Sequence, residues 1–218
     1  MIRKECIEQY CYKLSLESEY EQGFATGFFV NYRGRLFLVF TRHNLYMPPH
    51  LIERNSYRIL SFTTKAGIYT INTQNELHRL IDTHFTTGYQ DFILYEMSRE
   101  FFHLVNYFDL EHIPESSSII KGMSVVVSGF SGSNVTYEII DDVLASNGLA
   151  ESGVGRRTIY CEKGSGHGAS GGPVLILNAS NEYELIGSYR GLDDAFEGKR
   201  HGAVTPAQMI KMRLNYLT

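Results

Sequence analysis

The chain has 218 residues and no tryptophan, only three cysteines, and fewer basic residues than acidic ones. Cys6, Cys11 and Cys161 are too few and too unevenly spaced for a disulfide framework. Cys6 and Cys11 also lack a second Cys or His pair at zinc-ligand spacing, so no metal site is expected. Lys and Arg number 20 against 24 Asp and Glu, a formal net charge of −4. That excludes a general nucleic-acid binder, which carries a basic excess. No apolar run approaches the length of a membrane span. Charges interrupt the opening stretch MIRKECIEQYCYKLSLESEYEQ, so it holds no signal-peptide core. The expected compartment is the cytoplasm, with reduced thiols and no membrane association. No internal repeat or low-complexity tract is present.

What the chain does have is length enough for one large domain or two small ones, burying about 70% of the unfolded surface. Its aromatic share, 13%, is all Tyr and Phe, residue types that favour pleated, half-buried surfaces. FATGFFVNY, the turn RGR and LFLVFT read as a hairpin, as do YRILSFTT and GIYTINT around Lys65–Ala66. DFILYEM is a further strand, and SREFFHLVNYFDLEHIPESSS reads as a connector. Strands resume with GMSVVVSGF, NVTYEII, RRTIYCE, PVLILN, YELIGSYRG and KRHGAVT, while residues 141–155 read as a surface loop. One helix is predicted, TPAQMIKMRLNYLT, with Thr205 as N-cap, Pro206 at its first position and Gln208 completing a capping box. Met209, Ile210, Leu214 and Leu217 share a face suited to packing on a sheet. Two clusters of short strands, a connector and a closing helix indicate an all-β sandwich or paired barrels.

The stretch EKGSGHGASGGPVLILN sets five glycines around Ser170. Glycine loses more freedom on ordering than any other residue, so such a cluster marks close approach of the backbone to something. A serine hydroxyl becomes a nucleophile only beside a base, usually His, that is itself oriented by a carboxylate. It also needs backbone N–H groups aimed at the oxyanion that develops. Gly168 and Gly171 flank Ser170 and allow such a turn. His43, in LFLVFTRHNL, lies just past a strand end, and Asp91, in GYQDFILYEM, heads an apolar strand. Asp82 is the nearest competitor to Asp91. His50, His78, His84, His103, His112 and His201 read as surface or structural residues, Cys161 as a core residue, and Asp193–Asp194 as loop decoration.

These blocks together resemble the chymotrypsin/trypsin-like serine peptidases, and most closely the bacterial branch that includes HtrA-type and glutamyl endopeptidase domains. ATGFFV resembles the entry strand, LVFTRHNL the block around the base, DFIL the block around the orienting Asp, GASGGPVL the nucleophile block and ELIGSYRG the later substrate-binding strand. The matches run from residue 22 to 206, in the family's order of His, Asp and Ser. The resemblance implies two six-stranded antiparallel β-barrels with the site between them. An N-terminal barrel over 1–105 would carry His43 and Asp91, and 106–118 would connect it to a second barrel and the C-terminal helix over 119–218, carrying Ser170. It implies His43 as general base, Asp91 as its orienting partner and Ser170 as nucleophile. The N–H groups of Gly168 and Ser170 would form the oxyanion hole, and no cofactor is needed.

The sequence also departs from the family. Ala169 stands where animal trypsins place an Asp that pairs with a newly cleaved N-terminus, so activation by N-terminal insertion is not expected. Gly164 stands at the pocket-floor position, so a preference for Arg or Lys is not expected. Tyr189 replaces the His of glutamyl endopeptidases, and Asn44 replaces the usual apolar or Cys residue after the base. Gly164, Ser165, His167, Ser188, Tyr189 and Arg190 are the expected substrate-binding residues. The expected activity is that of a serine endopeptidase on protein or peptide substrates, acting as an effector with an activating partner protein in one version. One rival is a catalytically silent domain that binds protein. Another is an α/β-hydrolase elbow at GASGG with Asp194 and His201, although Pro173 and VLIL follow where that fold opens a helix.

Overall fold

A computed structural model describes residues 2–19, 21–45, 57–73, 75–76, 79–82, 91–148, 150–152, 156–166 and 168–216. β1 (Tyr12–Glu17), β2 (Gln22–Tyr32) and β3 (Arg35–Phe40) form an antiparallel meander. The RGR turn closes the β2–β3 hairpin with φ of +50° at Arg33 and +71° at Gly34, the two successive left-handed residues that match the twist of paired strands. β4 (Ile59–Thr64) and β5 (Gly67–Asn72) form the second expected hairpin, and β4 pairs with β1. β6 (Leu80–Asp82) and β7 (Ile93–Glu96) complete the path on the other side, giving the order β5-β4-β1-β2-β3-β7-β6. β8 (Tyr107–Asp109), inside the expected connector, joins this sheet by pairing parallel to β2.

The second sheet follows the order β10-β9-β13-β14-β15-β12-β11. Its strands are β9 (Ser124–Ser131), β10 (Thr136–Val143), β11 (Ala150–Ser152), β12 (Arg156–Cys161), β13 (Pro173–Leu177), β14 (Tyr183–Phe196) and β15 (Lys199–Pro206). A single turn of helix, α1 (Arg42–Leu45), follows β3, and α2 (Ala207–Asn215) ends the chain. This is the all-β, two-barrel architecture with a C-terminal helix. The sheets have eight and seven strands where the resemblance implies six each, the surplus being three-residue strands such as β6, β8 and β11.

Strand alternation sorts the side chains into three layers. Leu14, Phe29, Leu38, Phe40 and Ile93 fill the first barrel, and Val127, Ile159, Val174, Ile186 and Val204 fill the second. The opposite faces supply a shared layer, with Phe28, Val30, Phe37, Val39, Phe92 and Leu94 from one side and Val126, Leu175 and Leu185 from the other. This explains why FATGFFV lacks polar alternation: both faces of β2 are buried. Truncating Phe28 to Ala in that layer would cost about 3–5 kcal/mol. The first ten residues lean on the second sheet. Ile7 enters the shared layer, Tyr183 N–H donates to the Ile2 carbonyl at 2.9 Å, and Lys4 pairs with Asp141 at 2.5 Å.

Several sequence expectations need correction. Thr205 is not a helix cap. Thr205 and Pro206 remain in β15, paired with Ser188 and Gly187, so the helix opens at Ala207 with no side-chain cap. Gln208 instead donates to the Pro114 carbonyl at 2.5 Å. Ala207, Ile210 and Leu214 form the buried face of α2, Met209 is half-buried, and Leu217 lies outside the described residues. Residues 141–155 are not simply a surface loop. β10 runs through Asp141–Val143, and Leu144, Ala145 and Ser146 are buried. Asp193 and Asp194 belong to β14 rather than a loop.

Candidate active site

His43 sits on α1, immediately after β3 leaves the shared layer. The Asp91 carboxylate grips it twice. Oδ1 accepts the His43 backbone N–H at 2.9 Å, and Oδ2 meets the ring Nδ1. An ionised carboxylate only accepts, so the contact suits the tautomer with its proton on Nδ1. Asp91 is 3% exposed, while the His43 side chain is 40% exposed. The ring is therefore held from the buried side and open on the other. Asp82, the competing carboxylate, ends β6.

Ser170 lies between β12 and β13 in a turn whose glycines are required by close packing. Gly168 has φ of +96° and Gly171 has φ of +93°, in the left-handed region where a side chain is strained. A Cβ on Gly171 would run into the Thr26 carbonyl, and one on Gly168 into the Phe24 ring. The Gly168 and Ser170 N–H groups have no acceptor among the described residues. Gly171 N–H donates to Tyr189 O at 2.7 Å, and Gly172 N–H to Ala169 O at 2.9 Å. The Ser170 hydroxyl donates to the Arg190 carbonyl at 3.4 Å. β14 bulges between Tyr189 and Gly191 against β15, leaving Arg190 as the extra residue. Bulges of this kind re-aim groups beside functional sites.

Among the described residues, the Asn44 and Thr26 side chains of the first barrel hydrogen-bond to the Ser170 turn. Asn44, next to His43, donates Nδ2–H to the Ser170 carbonyl at 3.0 Å and also to Thr41 Oγ1. Thr26 N–H donates to the same carbonyl at 3.1 Å, and Thr26 Oγ1 donates to Gly168 O at 2.9 Å. The His–Asp pair and the serine turn, distant in sequence, are thus stitched together across the two barrels. Sequence reasoning passed over Thr26 and noted Asn44 only as an unusual residue. A buried hydroxyl inside an apolar strand was the available signal for Thr26.

Among the expected substrate-binding residues, Ser188 and Tyr189 are fully buried and present no surface for direct contact. Tyr189 acts through its hydroxyl, which accepts Ser165 N–H at 2.9 Å and donates to Ser165 O at 2.7 Å. Burial pushes its phenol up to about 12, so it remains a donor. Gly164 packs against Gly202 so closely that a Cβ would lie 2.7 Å from the Gly202 Cα. Asp142, also missed, fixes this segment from β10. It is 5% exposed and accepts N–H from Lys163 at 3.1 Å and from Gly164 at 2.7 Å. Arg190 pairs with Asp193 at 3.1 Å. His167 lies outside the described residues, as do His50, His78 and His84.

His201 is 4% exposed against Tyr160 and Phe196, a structural position, whereas the His112 side chain is 81% exposed. Cys161 is buried in the second barrel, and burial pushes its thiol up. The elbow alternative fails. Strand β13 begins at Pro173 where a helix is required, and the Asp194 side chain is 81% exposed while His201 is buried elsewhere. No three His, Cys, Asp or Glu side chains gather to hold a metal ion among the described residues. No helix among them is long and apolar enough to cross a membrane.

The two sheets and the closing helix make a double-β-barrel fold, which solved structures of serine proteases share. A serine endoprotease from Yersinia pestis matches with TM-score 0.60 and 13% identity over 98% of this chain. The Rv3671c protease from M. tuberculosis, in its active form, matches with TM-score 0.63 and 14% identity over 97%. The HtrA-type protease AlgW, with tripeptide, matches with TM-score 0.63 and 13% identity over 95%. The chain spans 64%, 82% and 59% of those three proteins respectively. No family model and no curated protein matches by sequence.

Proposed function

We propose that the chain is a serine endopeptidase that hydrolyses peptide bonds through an acyl-enzyme. The observation that carries this reading is the double grip of the buried Asp91 on His43, beside a glycine turn whose Gly168 and Ser170 N–H groups have no acceptor among the described residues. His43 Nε2 takes the Ser170 proton as Oγ attacks the scissile carbonyl, and later returns it to the leaving amine. For that step the hydroxyl rotates from the Arg190 carbonyl toward Nε2. Asp91 holds the tautomer and stabilises the imidazolium. The N–H groups of Gly168 and Ser170 receive the oxyanion, a contribution commonly worth about 10²-fold or more in turnover per donor. Released by that rotation of the Ser170 hydroxyl, the Arg190 carbonyl accepts an N–H from the substrate chain, and Gly164 and Ser165 flank the substrate side chain. The substrates are proteins or peptides. The three thiols are free, which supports a reducing compartment such as the cytoplasm.

A second reading has one observation in its favour. The Ser170 hydroxyl is bonded to Arg190 O, the resting arrangement of a silent binding module or of an enzyme awaiting an activating protein. Incubating the chain with a diverse peptide library, beside Ser170→Ala, separates these readings. Cleavage at defined residues that disappears in the variant supports the endopeptidase. Retention of peptides by both proteins without cleavage favours the binding module.

A further inference from the structure

Thr26 reaches the serine turn at two carbonyls from the opposite barrel. It is fully buried on β2. Its hydroxyl donates to Gly168 O at 2.9 Å and accepts the Phe130 N–H at 2.9 Å. Its own N–H donates to Ser170 O at 3.1 Å. The surroundings are cut to fit it: a Cβ on Gly129 would come within 2.9 Å of Thr26 Oγ1, and a Cβ on Gly171 would collide with the Thr26 carbonyl.

Each bond fixes a peptide plane. The 168–169 plane is pinned through Gly168 O by the Thr26 hydroxyl. The 170–171 plane is pinned at both edges, through Ser170 O by the Thr26 N–H and through Gly171 N–H by Tyr189 O at 2.7 Å. The plane between them is held by Gly172 N–H on Ala169 O at 2.9 Å. Gly168 N–H adjoins the pinned 168–169 plane, and Ser170 N–H, in the 169–170 plane, lies between the two planes that Thr26 pins; neither has an acceptor among the described residues. Charge stabilisation by such donors depends on their being oriented before the reaction, so whatever fixes the planes sets the rate. Ala169 offers no carboxylate to organise the turn from within.

We infer that Thr26 is a positioning residue which holds the anion-binding turn in its working geometry from the opposite barrel, so that the turn is formed without a separate activation contact. The inference rests on Ser170 being the nucleophile. Thr26→Val keeps the shape and the backbone N–H while deleting the hydroxyl; Thr26→Ser restores the hydroxyl. Steady-state kinetics on a cleaved peptide would be measured with amide hydrogen exchange over residues 164–172.

Thr26→Val is expected to lower kcat by about 10²-fold while KM stays within about threefold, and to raise exchange in the turn. The pH midpoint of kcat/KM, set at His43, should not move. Thr26→Ser should return kcat to within about threefold of the parent. A folded Thr26→Val with parental kcat and parental exchange overturns the inference. If Thr26→Val does not fold, Thr26→Cys replaces it as the weak-donor variant, and equal kcat in the Ser and Cys variants overturns it. If the parent chain cleaves nothing but the hydroxyl-deleted variant still loosens the turn, the clamp stands and the endopeptidase reading falls.

Discussion

Asn44 and Ser170 are joined directly, the Asn44 amide donating to the Ser170 carbonyl at 3.0 Å. The residue beside the candidate base thereby sets the position of the candidate nucleophile, and one side chain registers two barrels. Deleting it should misalign the pair more than it unfolds the chain. Asn44→Ala is expected to lower turnover by about 10- to 100-fold while costing about 1 kcal/mol of stability. Paired kinetics and urea unfolding check this; a stability loss without a rate loss would assign Asn44 a purely structural role.

Asp91→Asn keeps the shape of the buried contact but replaces an obligate acceptor with a group that can also donate. The His43 ring is then free to adopt the wrong tautomer. Turnover should fall by about 10⁴ with the fold intact, the size of the loss when the same change is made in a Ser-His-Asp triad. Circular dichroism and kcat on one preparation measure both halves. A fall of less than about tenfold would point to a different carboxylate.

Asp142 and Tyr189 hold the segment 163–165 from opposite sides. Asp142→Ala leaves the Lys163 and Gly164 N–H groups without their acceptor and should cost about 3 kcal/mol in urea unfolding. Tyr189→Phe removes both bonds to the Ser165 backbone and should change the preferred side chain at the cleaved bond. Unaltered substrate profiles in Tyr189→Phe would mean that the segment is held without the phenol.

The Arg35 guanidinium holds the Glu96 carboxyl below its ordinary range of about 4.5, through bonds of 2.8 and 2.7 Å. The folded value lies below the unfolded one. The contribution is therefore present above the unfolded value and lost as pH falls through the folded one. Glu96→Gln should be less stable than the parent near pH 6, with the gap closing as pH falls below the ordinary carboxylate range. A gap independent of pH would show that the pair is lost in solution.

How much of this was legible in the sequence depended on the range of the interaction. His43, Asp91 and Ser170 stand out because each sits in a local block with its own strand-end or glycine signal. The paired hairpins at Arg33–Gly34 and Lys65–Ala66 were also readable, since turn chemistry is local. Thr26, Asn44 and Asp142 were not, because each acts on a backbone group about 20 to 140 positions away, and nothing in their neighbours marks the partner. Thr205 shows the opposite failure. A correct local capping pattern was overridden because β15 continues to pair with β14 through Pro206. Residues 141–143 read as polar loop because the buried Asp142 looks, in sequence, like any surface acid.

The measurement closest to the central claim is reaction of the purified chain with a fluorophosphonate, the adduct mapped by mass spectrometry beside Ser170→Ala and His43→Ala. An activated serine predicts a single adduct on Ser170 that is absent from both variants. A folded chain that forms no adduct, or forms one at another residue, would contradict the account of Ser170 as a nucleophile driven by His43.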